Sequence, residues 1–435
     1  MTSGRKPRRR AKALAPHTVE IEIGALGGRG DGVGQAQGQP VYVPCTVPGD
    51  RVAARIDGRR GDGWAATLLD VLVAGPGRRA PVCGHFGSCG GCALQHVAPD
   101  VYGDWKRGQL VAAMRRAGFA AEQVQPTLSI APGTRRRAAF AFHRHRKTVV
   151  LGFNARASHQ VVDLRECPLM APALLAIVPS LRALLAEIVE DGVSGDAIVT
   201  LTDNGLDLLV EAEARLDLFD RERLAAFADS ADLARLSWRR PGTGLIEPLA
   251  HRRPAEVRFA GVAVDLPPGG FLQPSPDGEA ALAGLVTAAV GSRRRAVADL
   301  FAGSGSFTFP LAKGAAVHAV EGDAAALAAL RRAADAAQAR VVAECRDLNL
   351  RPLLADDLKR FDAVVFDPPR AGAAAQAEQL AAAGPALVVA VSCNPATLAR
   401  DARTLAGGGY RLAAVTPVDQ FPWSAHLEAV AVFER

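Results

Sequence analysis

The spacing of apolar and polar residues changes along the chain and predicts three regions. Between residues 17 and 75, short runs such as His17–Ile23 and Asp50–Ile56 are separated by turn residues, a pattern typical of strands in a small β domain. Closely spaced short strands are typical of a small barrel of the OB type, and such barrels commonly bind RNA. Residues 76–260 mix strand-like and helical runs, so we expect an α+β domain there.

The third region, residues 261–435, alternates apolar strands with Ala-rich helices. Strands are predicted at Ala296–Leu300, Ala316–Val320, Ala363–Phe366 and Ala386–Val391. This alternation predicts an α/β fold with a doubly wound parallel sheet, whose ligands bind at the carboxyl ends of the strands.

The net charge of +6 originates at the start of the chain. Of 51 basic residues, six precede residue 17 and equal the excess over the 45 acidic ones: Arg5, Lys6, Arg8, Arg9, Arg10 and Lys12. We expect residues 1–16 to form a disordered basic tail. The charge alone leaves two roles open, a contact with RNA phosphates and simple solubilisation.

Composition and cysteine count indicate the compartment. With 435 residues the chain is long enough for two or three domains, and no run of 18 apolar residues lacks Gly, Pro or charge, so we expect no membrane contact. The N-terminus lacks the apolar core of a signal peptide, and the odd number of seven cysteines argues against a disulfide framework. We therefore expect a cytoplasmic protein.

A glycine loop after the first strand of the third region indicates a nucleoside ligand. The segment Asp299–Phe307 contains Gly303 and Gly305, which allow a ligand close to the backbone, but it lacks the G-x-G-x-x-G pattern that favours NAD. Glu321 ends the next strand 18 residues after Gly303, where an acid suits hydrogen bonds to ribose hydroxyls. Asp367-Pro368-Pro369-Arg370 closes a further strand with a stiff turn that presents a carboxylate to the same pocket.

Four cysteines have spacings typical of a metal site. Cys83, Cys89 and Cys92 lie within ten residues, and Cys167 follows 75 residues later. Four thiolates hold either zinc or an iron–sulfur cluster. Zinc ribbons usually pair two C-x2-C knuckles and this chain has one, but the residues alone leave both metals open.

Five segments, in the order in which they occur, make the chain resemble the RNA uridine-5 methyltransferase family. They are Phe271-Leu272-Gln273, Asp299–Phe307, Asp367-Pro368-Pro369-Arg370, Ser392–Asp401, and Asp419-Gln420-Phe421 through His426-Leu427-Glu428. The N-terminal β domain is similar to the TRAM module found on many members. The resemblance implies a Rossmann-like class I methyltransferase domain that uses S-adenosylmethionine, preceded by an OB-like TRAM barrel over 17–75 and a central α+β iron–sulfur domain over 76–260.

The same resemblance implies roles for individual residues. Cys393 would be the nucleophile that adds to carbon 6 of uracil, and Glu428 the general base that removes the hydrogen from carbon 5. S-adenosylmethionine would contact Gln273, Phe301, Ser306, Glu321, Asp347 and Asp367. The cysteine spacing resembles the family's [4Fe-4S] site, with Cys83, Cys89, Cys92 and Cys167 as the ligands.

Members that carry both a TRAM module and a cluster resemble enzymes acting on large-subunit ribosomal RNA. The resemblance therefore implies methylation of a uridine in 23S rRNA, with tRNA as the alternative substrate. We expect a monomer with RNA as its partner and no obligate protein partner. Two other readings stay open: a non-catalytic RNA-binding protein that keeps the methyltransferase fold, and a zinc-containing DNA or protein N-methyltransferase, whose chemistry would need the Asp-Pro-Pro turn but no thiol.

Overall fold

The computed structural model describes residues 17–435, and the predicted basic tail, residues 1–16, lies outside the described residues. The chain divides into two compact units. The first extends to Val82 and also includes Ala93–Tyr102; the second comprises Cys83–Cys92 and Gly103–Arg435. Within residues 17–435, no helix has the length and apolarity needed to cross a membrane.

The first unit contains a closed five-stranded barrel with the strand order β1-β2-β3-β5-β4. Its strands are β1 (Thr18–Leu26), β2 (Gly32–Ala36), β3 (Gln39–Val43), β4 (Arg51–Arg60) and β5 (Gly63–Val73). Alternate residues fill the barrel, and each of these is at most 4% exposed: Ile21, Ile23, Val41, Val43, Val52, Ala54, Ile56 and Ala66. A β-carbon on Gly34 would lie 2.2 Å from Ile21, so β2 can approach β1 only with glycine there. The small β-barrel predicted from the sequence is confirmed.

A seven-stranded sheet with the order β13-β12-β11-β10-β7-β8-β9 forms the middle of the second unit. Two elements precede this sheet in the chain, α1 (Pro99–Arg116) and β6 (Leu128–Ser129), with a 3-10 helix at Ala121–Gln123 between them. The strands of the sheet are β7 (Arg137–His145), β8 (Thr148–Asn154), β9 (Val161–Asp163), β10 (Ser194–Thr202), β11 (Gly205–Ala212), β12 (Leu233–Arg239) and β13 (Ile246–His251). The helices α2 (Pro172–Ala176), α3 (Val178–Ile188) and α4 (Leu218–Ser230) share an apolar core with it. A hairpin of β14 (Glu256–Phe259) and β15 (Val262–Asp265) follows.

The C-terminal part of the second unit is an eight-stranded sheet with the order β18-β17-β16-β19-β20-β22-β21-β6. Its further strands are β16 (Ala296–Leu300), β17 (Ala316–Glu321), β18 (Val341–Cys345), β19 (Ala363–Phe366), β20 (Leu387–Ser392), β21 (Arg411–Asp419) and β22 (Glu428–Glu434). Its helices are α5 (Pro276–Val290), α6 (Thr308–Ala312), α7 (Ala324–Ala336), α8 (Ala355–Leu358), α9 (Ala374–Ala383) and α10 (Pro395–Gly407). Strands β16 to β20 are parallel, so their carboxyl ends meet at one edge.

The segment from α1 to β6 contributes to this C-terminal sheet, although the sequence analysis assigned it to the central domain. Leu110 and Met114 of α1 are fully buried in the same apolar cluster as Phe366 and Phe433 of the sheet. Strand β6 pairs in parallel with the end of β21 at the edge of the sheet. The C-terminal fold is therefore completed by residues that lie far ahead of residue 261.

Candidate active site

A cavity of about 910 Å³ opens at the carboxyl ends of the parallel strands β16 to β20. Seven of the eight catalytic and cofactor-binding residues predicted from the sequence line it: Gln273, Phe301, Glu321, Asp347, Asp367, Cys393 and Glu428. Ser306 is not among the lining residues. Ser304, two positions earlier in the same loop, takes part in the wall instead.

The glycine loop after β16 is fixed by the carboxylate of Glu321. The backbone N–H of Gly303 donates to Oε2 of Glu321 at 2.8 Å, and the N–H of Asp323 donates to Oε1 at 2.6 Å. Phe301 has a φ of 61° and Gly305 one of 106°, so the chain turns sharply just beyond the strand. Each carboxylate oxygen can accept a further hydrogen bond, which leaves Glu321 able to bind two hydroxyls of a ligand.

Asp299 lies behind this loop, fully buried at the end of β16. Thr308 donates its hydroxyl hydrogen to Oδ2 of Asp299 at 2.5 Å, while Oδ1 has no hydrogen-bond partner within residues 17–435. Burial raises the pKa of Asp299 to about 7, and the nearby carboxylates of Asp367 and Glu321 add to the shift. The carboxyl group of Asp299, buried behind the loop, is therefore partly protonated near neutral pH.

Cys393 follows β20 and precedes α10, whose first turn is capped by Asn394. The Asn394 side chain accepts a hydrogen bond from the N–H of Ala396 at 3.0 Å and donates one to the carbonyl of Arg370 at 3.1 Å. Partial burial raises the pKa of the Cys393 thiol, and the carboxyl groups of Glu428 and Asp367 raise it further, whereas Arg370 lowers it. The thiol is thus held in place by a rigid turn and is largely protonated at neutral pH.

Glu428 begins β22 and faces the same cavity, with 6% of its surface exposed. Loss of hydration raises the pKa of Glu428 to about 7, although a hydrogen bond from Gln420 and the charge of Arg370 act in the opposite direction. Burial also raises the pKa of Asp367 well above its usual range, with Glu428 contributing. A carboxyl group with a pKa near neutral can exchange a proton with a reacting ligand at physiological pH.

Lys106 of α1, to which no sequence motif assigned a role, lies behind the cavity wall. Its side chain is 1% exposed, and its ammonium donates to Oδ1 of Asp419 at 2.8 Å and to the carbonyl of His426. His426 lines the cavity, and a guanidinium nitrogen of Arg370 lies 3.2 and 3.3 Å from its two ring nitrogens. The sequence does hold one indication of this contact: Lys106 lies on the apolar face of α1, and lysine is rarely buried without a charged partner.

The run Arg135-Arg136-Arg137 precedes and begins β7 and holds the segment that carries Gln273. Arg136 donates to the carbonyl of Gln273 at 3.1 Å and pairs with Glu279 of α5 at 2.7 Å. Arg137 donates to the carbonyl of Gly269 at 3.1 Å. The central sheet therefore positions one wall of the cavity.

The four predicted metal-binding cysteines come to one region of the second unit. The N–H of Gly84 donates to Glu166 at 2.5 Å, and the N–H of Gly90 donates to the carbonyl of Asn154 at 2.9 Å. Burial raises the pKa of Cys167, and the neighbouring Cys83 and Cys89 raise it further. Among the residues that the structure describes, no group of three or more His, Cys, Asp or Glu side chains is arranged to hold a metal ion.

Residues 262–435 match the family model described as tRNA (Uracil-5-)-methyltransferase. The chain is 45% identical over 420 residues to an RNA methyltransferase of Brucella suis biovar 1 (strain 1330). This alignment covers 96% of this chain and 98% of the relative. It is 32% identical over 437 residues to the 23S rRNA (uracil(1939)-C(5))-methyltransferase RlmD of Aeromonas salmonicida (strain A449). That alignment covers 98% of each of the two chains.

A solved structure shows the same fold. The tRNA (uracil-54, C5)-methyltransferase of Pyrococcus abyssi, crystallised with S-adenosyl-L-homocysteine, superposes with a TM-score of 0.74 and 23% identity. The match covers 95% of this chain and 100% of the archaeal one. The chain is therefore similar to these proteins over nearly its whole length.

Proposed function

Because this chain belongs to the family of S-adenosylmethionine-dependent RNA (uracil-5-)-methyltransferases, we propose that it methylates carbon 5 of a uridine in 23S rRNA through a covalent bond from Cys393. One observation carries the proposal: a thiol, Cys393, and a carboxyl group of pKa about 7, Glu428, face a single cavity at the carboxyl ends of parallel strands. An N-methyltransferase would need no thiol at this point.

The two side chains suit opposite ends of one reaction cycle. Carbon 5 of uracil is a weak nucleophile, so the Cys393 thiol, after losing its proton to water, adds through sulfur to carbon 6 and makes carbon 5 an enolate carbon. When bound, S-adenosylmethionine would supply the methyl group to carbon 5 and leave as S-adenosylhomocysteine, and its positive sulfonium would favour the charged forms of neighbouring thiol and carboxyl groups. Glu428 then takes the hydrogen of carbon 5 as a proton; the electrons of that bond form the double bond between carbons 5 and 6, and Cys393 leaves as a thiolate.

We propose that S-adenosylmethionine binds along the wall formed by the strand ends. Both oxygens of Glu321 are oriented by backbone N–H groups and suit the two ribose hydroxyls. The other proposed contacts are Gln273, Phe301, Asp347 and Asp367, which line the cavity, and Ser306, which does not. Ser304 lines the cavity and is therefore better placed than Ser306 to contact the cofactor.

The proposed substrate is 23S rRNA because the Aeromonas relative, named for that activity, is similar over 98% of the chain. The tRNA alternative has its support in the family model matched by residues 262–435, whose description names tRNA. The Pyrococcus enzyme, at 23% identity, shows only the shared fold. Mapping 5-methyluridine in 23S rRNA and tRNA, from cells with and without this gene, separates the two. We expect one 23S rRNA site to lose its methyl group while tRNA stays unchanged. Loss confined to tRNA would assign the alternative substrate, and unchanged RNA of both kinds would contradict the proposed activity.

We also propose that the N-terminal barrel is a TRAM domain that contacts RNA. Two cation–π pairs lie on it: the guanidinium of Arg59 is 4.5 Å from the centre of the Trp64 ring, and that of Arg60 is 4.6 Å from the Tyr42 ring. Arginine and aromatic rings together suit a nucleic acid, since one binds phosphate and the other stacks on bases.

Cys83, Cys89, Cys92 and Cys167 are proposed to hold a [4Fe-4S] cluster. Four thiols are the donor set that such a cluster uses, and these four are partly buried. The positive charge of Arg135 lies close to Cys92 and Cys167, where it would offset negative charge. Methylation of uridine transfers no electron, so these residues would serve structure or RNA positioning.

Protein purified without oxygen should be brown and contain roughly four irons per chain. Cys167→Ser should lose the iron and lower the melting temperature of the protein while leaving the affinity for S-adenosylmethionine unchanged. Metal analysis and absorbance measure this, with Cys345→Ser, an exposed cysteine outside the cavity, as the matched control. One zinc per chain, with no iron and full activity, would reject the cluster.

Deleting residues 1–15 should weaken RNA binding and flatten its salt dependence, because phosphate contacts release counterions. With six cations removed and roughly 0.7 per contact, the slope of log Kd against log salt should fall by at most about 4. The affinity for S-adenosylmethionine should not change. A full-length variant with glutamine at the six basic positions controls for chain length. An unaltered slope would show that the tail only aids solubility.

A further inference from the structure

Gln420, to which the sequence analysis gave no role, lies between two predicted site residues. It directly follows β21 and is 3% exposed. Its amide nitrogen donates a hydrogen bond to Oε1 of Gln273 at 2.7 Å. Val418, two residues before Gln420, pairs with Glu428 across β21 and β22, and a hydrogen bond from the Gln420 side chain to the Glu428 carboxylate acts to lower the pKa of Glu428. One amide therefore connects the proposed cofactor wall with the proposed base.

The amide is enclosed on its other side by the first turn of α5. A β-carbon on Gly278 would lie 2.4 Å from Oε1 of Gln420 and 2.8 Å from its Cβ, so glycine is needed there for space. Ser275 caps the turn, its hydroxyl accepting the N–H of Gly278 at 3.1 Å. The Gln420 side chain is consequently held by contacts on both sides.

We propose that Gln420 is a positioning residue that fixes the carboxylate of Glu428 toward the bound uracil and couples it to Gln273. This inference rests on the proposed function. A neutral amide can donate to a carboxylate without repelling it or neutralising it, which keeps Glu428 basic in a buried place.

Loss of the hydrogen bond from Gln420 should change how the activity depends on pH. A donated hydrogen bond favours the charged carboxylate, so its loss raises the pKa of Glu428 further, and the basic form is then lost at a higher pH. Asp367, Arg370, Cys393 and His426 also line the cavity around Glu428. None of these four residues is changed in a Gln420 variant, so a shift in the pKa of Glu428 would report on the loss of the Gln420 amide.

Gln420→Met tests the proposal because it keeps the volume and removes the amide. We expect removal of the carbon 5 proton to slow by about 10-fold or more, methylated RNA to accumulate as a covalent adduct, and the acid limb of the pH profile to move up by about one unit. Gln376→Met is the matched control: Gln376 is 1% exposed and hydrogen-bonds to the backbone of Leu353, but it does not line the cavity.

The proposal would be overturned if Gln420→Met and Gln376→Met lowered the melting temperature equally while Gln420→Met kept the wild-type pH profile and formed no adduct. Gln420 would then be a packing residue. A second measurement needs no turnover. Carbon-13 NMR titration of the Glu428 carboxyl, assigned with Glu428→Gln, should give a higher pKa in Gln420→Met than in the wild type; an equal pKa would overturn the inference. A higher pKa of Glu428 in Gln420→Met, found together with a wild-type protein that methylates no RNA, would contradict the proposed function while the contact between Gln420 and Glu428 stands.

Discussion

Cys393→Ala should abolish methyl transfer, with a loss of roughly 10⁴-fold or more, because removing the nucleophile leaves carbon 5 of uracil unactivated. The variant should also form no bond to RNA at any stage. Transfer of a radiolabelled methyl group to unmodified RNA measures the first effect, and denaturing electrophoresis measures the second. Binding of S-adenosylmethionine should persist, since the proposed contacts to it lie on other side chains.

The matched control is Cys345→Ala, which changes an exposed thiol at the end of β18 that does not line the cavity. It should retain wild-type turnover. Wild-type turnover in Cys393→Ala would instead exclude the covalent route and favour an N-methyltransferase, whose chemistry needs no thiol.

Glu428→Gln should fail at the other end of the cycle. The thiol can still add and the methyl group can still be transferred, but no carboxylate takes the proton from carbon 5, so elimination stalls. Turnover should fall by about 10²- to 10⁴-fold, the range typical of a lost general base. The variant should accumulate methylated RNA attached to protein, visible as a slowly migrating band that survives denaturation.

Glu434→Gln is the control, because Glu434 lies on the same strand, β22, but pairs with Arg411 at 2.7 Å and is outside the cavity. It should show wild-type turnover and no retained band. If Glu428→Gln released methylated RNA at the wild-type rate, another group would be the base, and the role of Glu428 would have to be abandoned.

The parallel strands and the barrel could be predicted because their residues carry local patterns. Strands Ala296–Leu300 and Ala363–Phe366 have the predicted bounds, since strands covered on both faces are continuous apolar runs. The strand predicted at Ala386–Val391 is displaced by one residue, to Leu387–Ser392. Asp367 and Cys393 directly follow two of these strands, and both line one cavity because parallel strands share a carboxyl edge.

Contacts between segments that are far apart in the sequence could not be predicted, because no local pattern of residues indicates them. Lys106 and Asp419 are 313 residues apart, and the parallel pairing of β6 with β21 joins the regions that the sequence analysis had separated at residue 261. The detailed geometry of the loop after β16 could not be predicted either: Phe301 has a left-handed conformation, and Ser304 lines the cavity whereas Ser306 does not. These details depend on tertiary packing, which neither spacing nor residue type encodes.

The proposed mechanism requires a covalent bond between Cys393 and the uridine that receives the methyl group. Mass spectrometry of the Glu428→Gln protein tests it most directly, after incubation with unmodified 23S rRNA and S-adenosylmethionine and digestion with nuclease and protease. The peptide that contains Cys393 should carry the mass of a 5-methyluridine nucleotide. An unmodified Cys393 peptide from protein that has methylated the RNA, or an adduct on Cys45 or Cys345, would contradict the proposed mechanism.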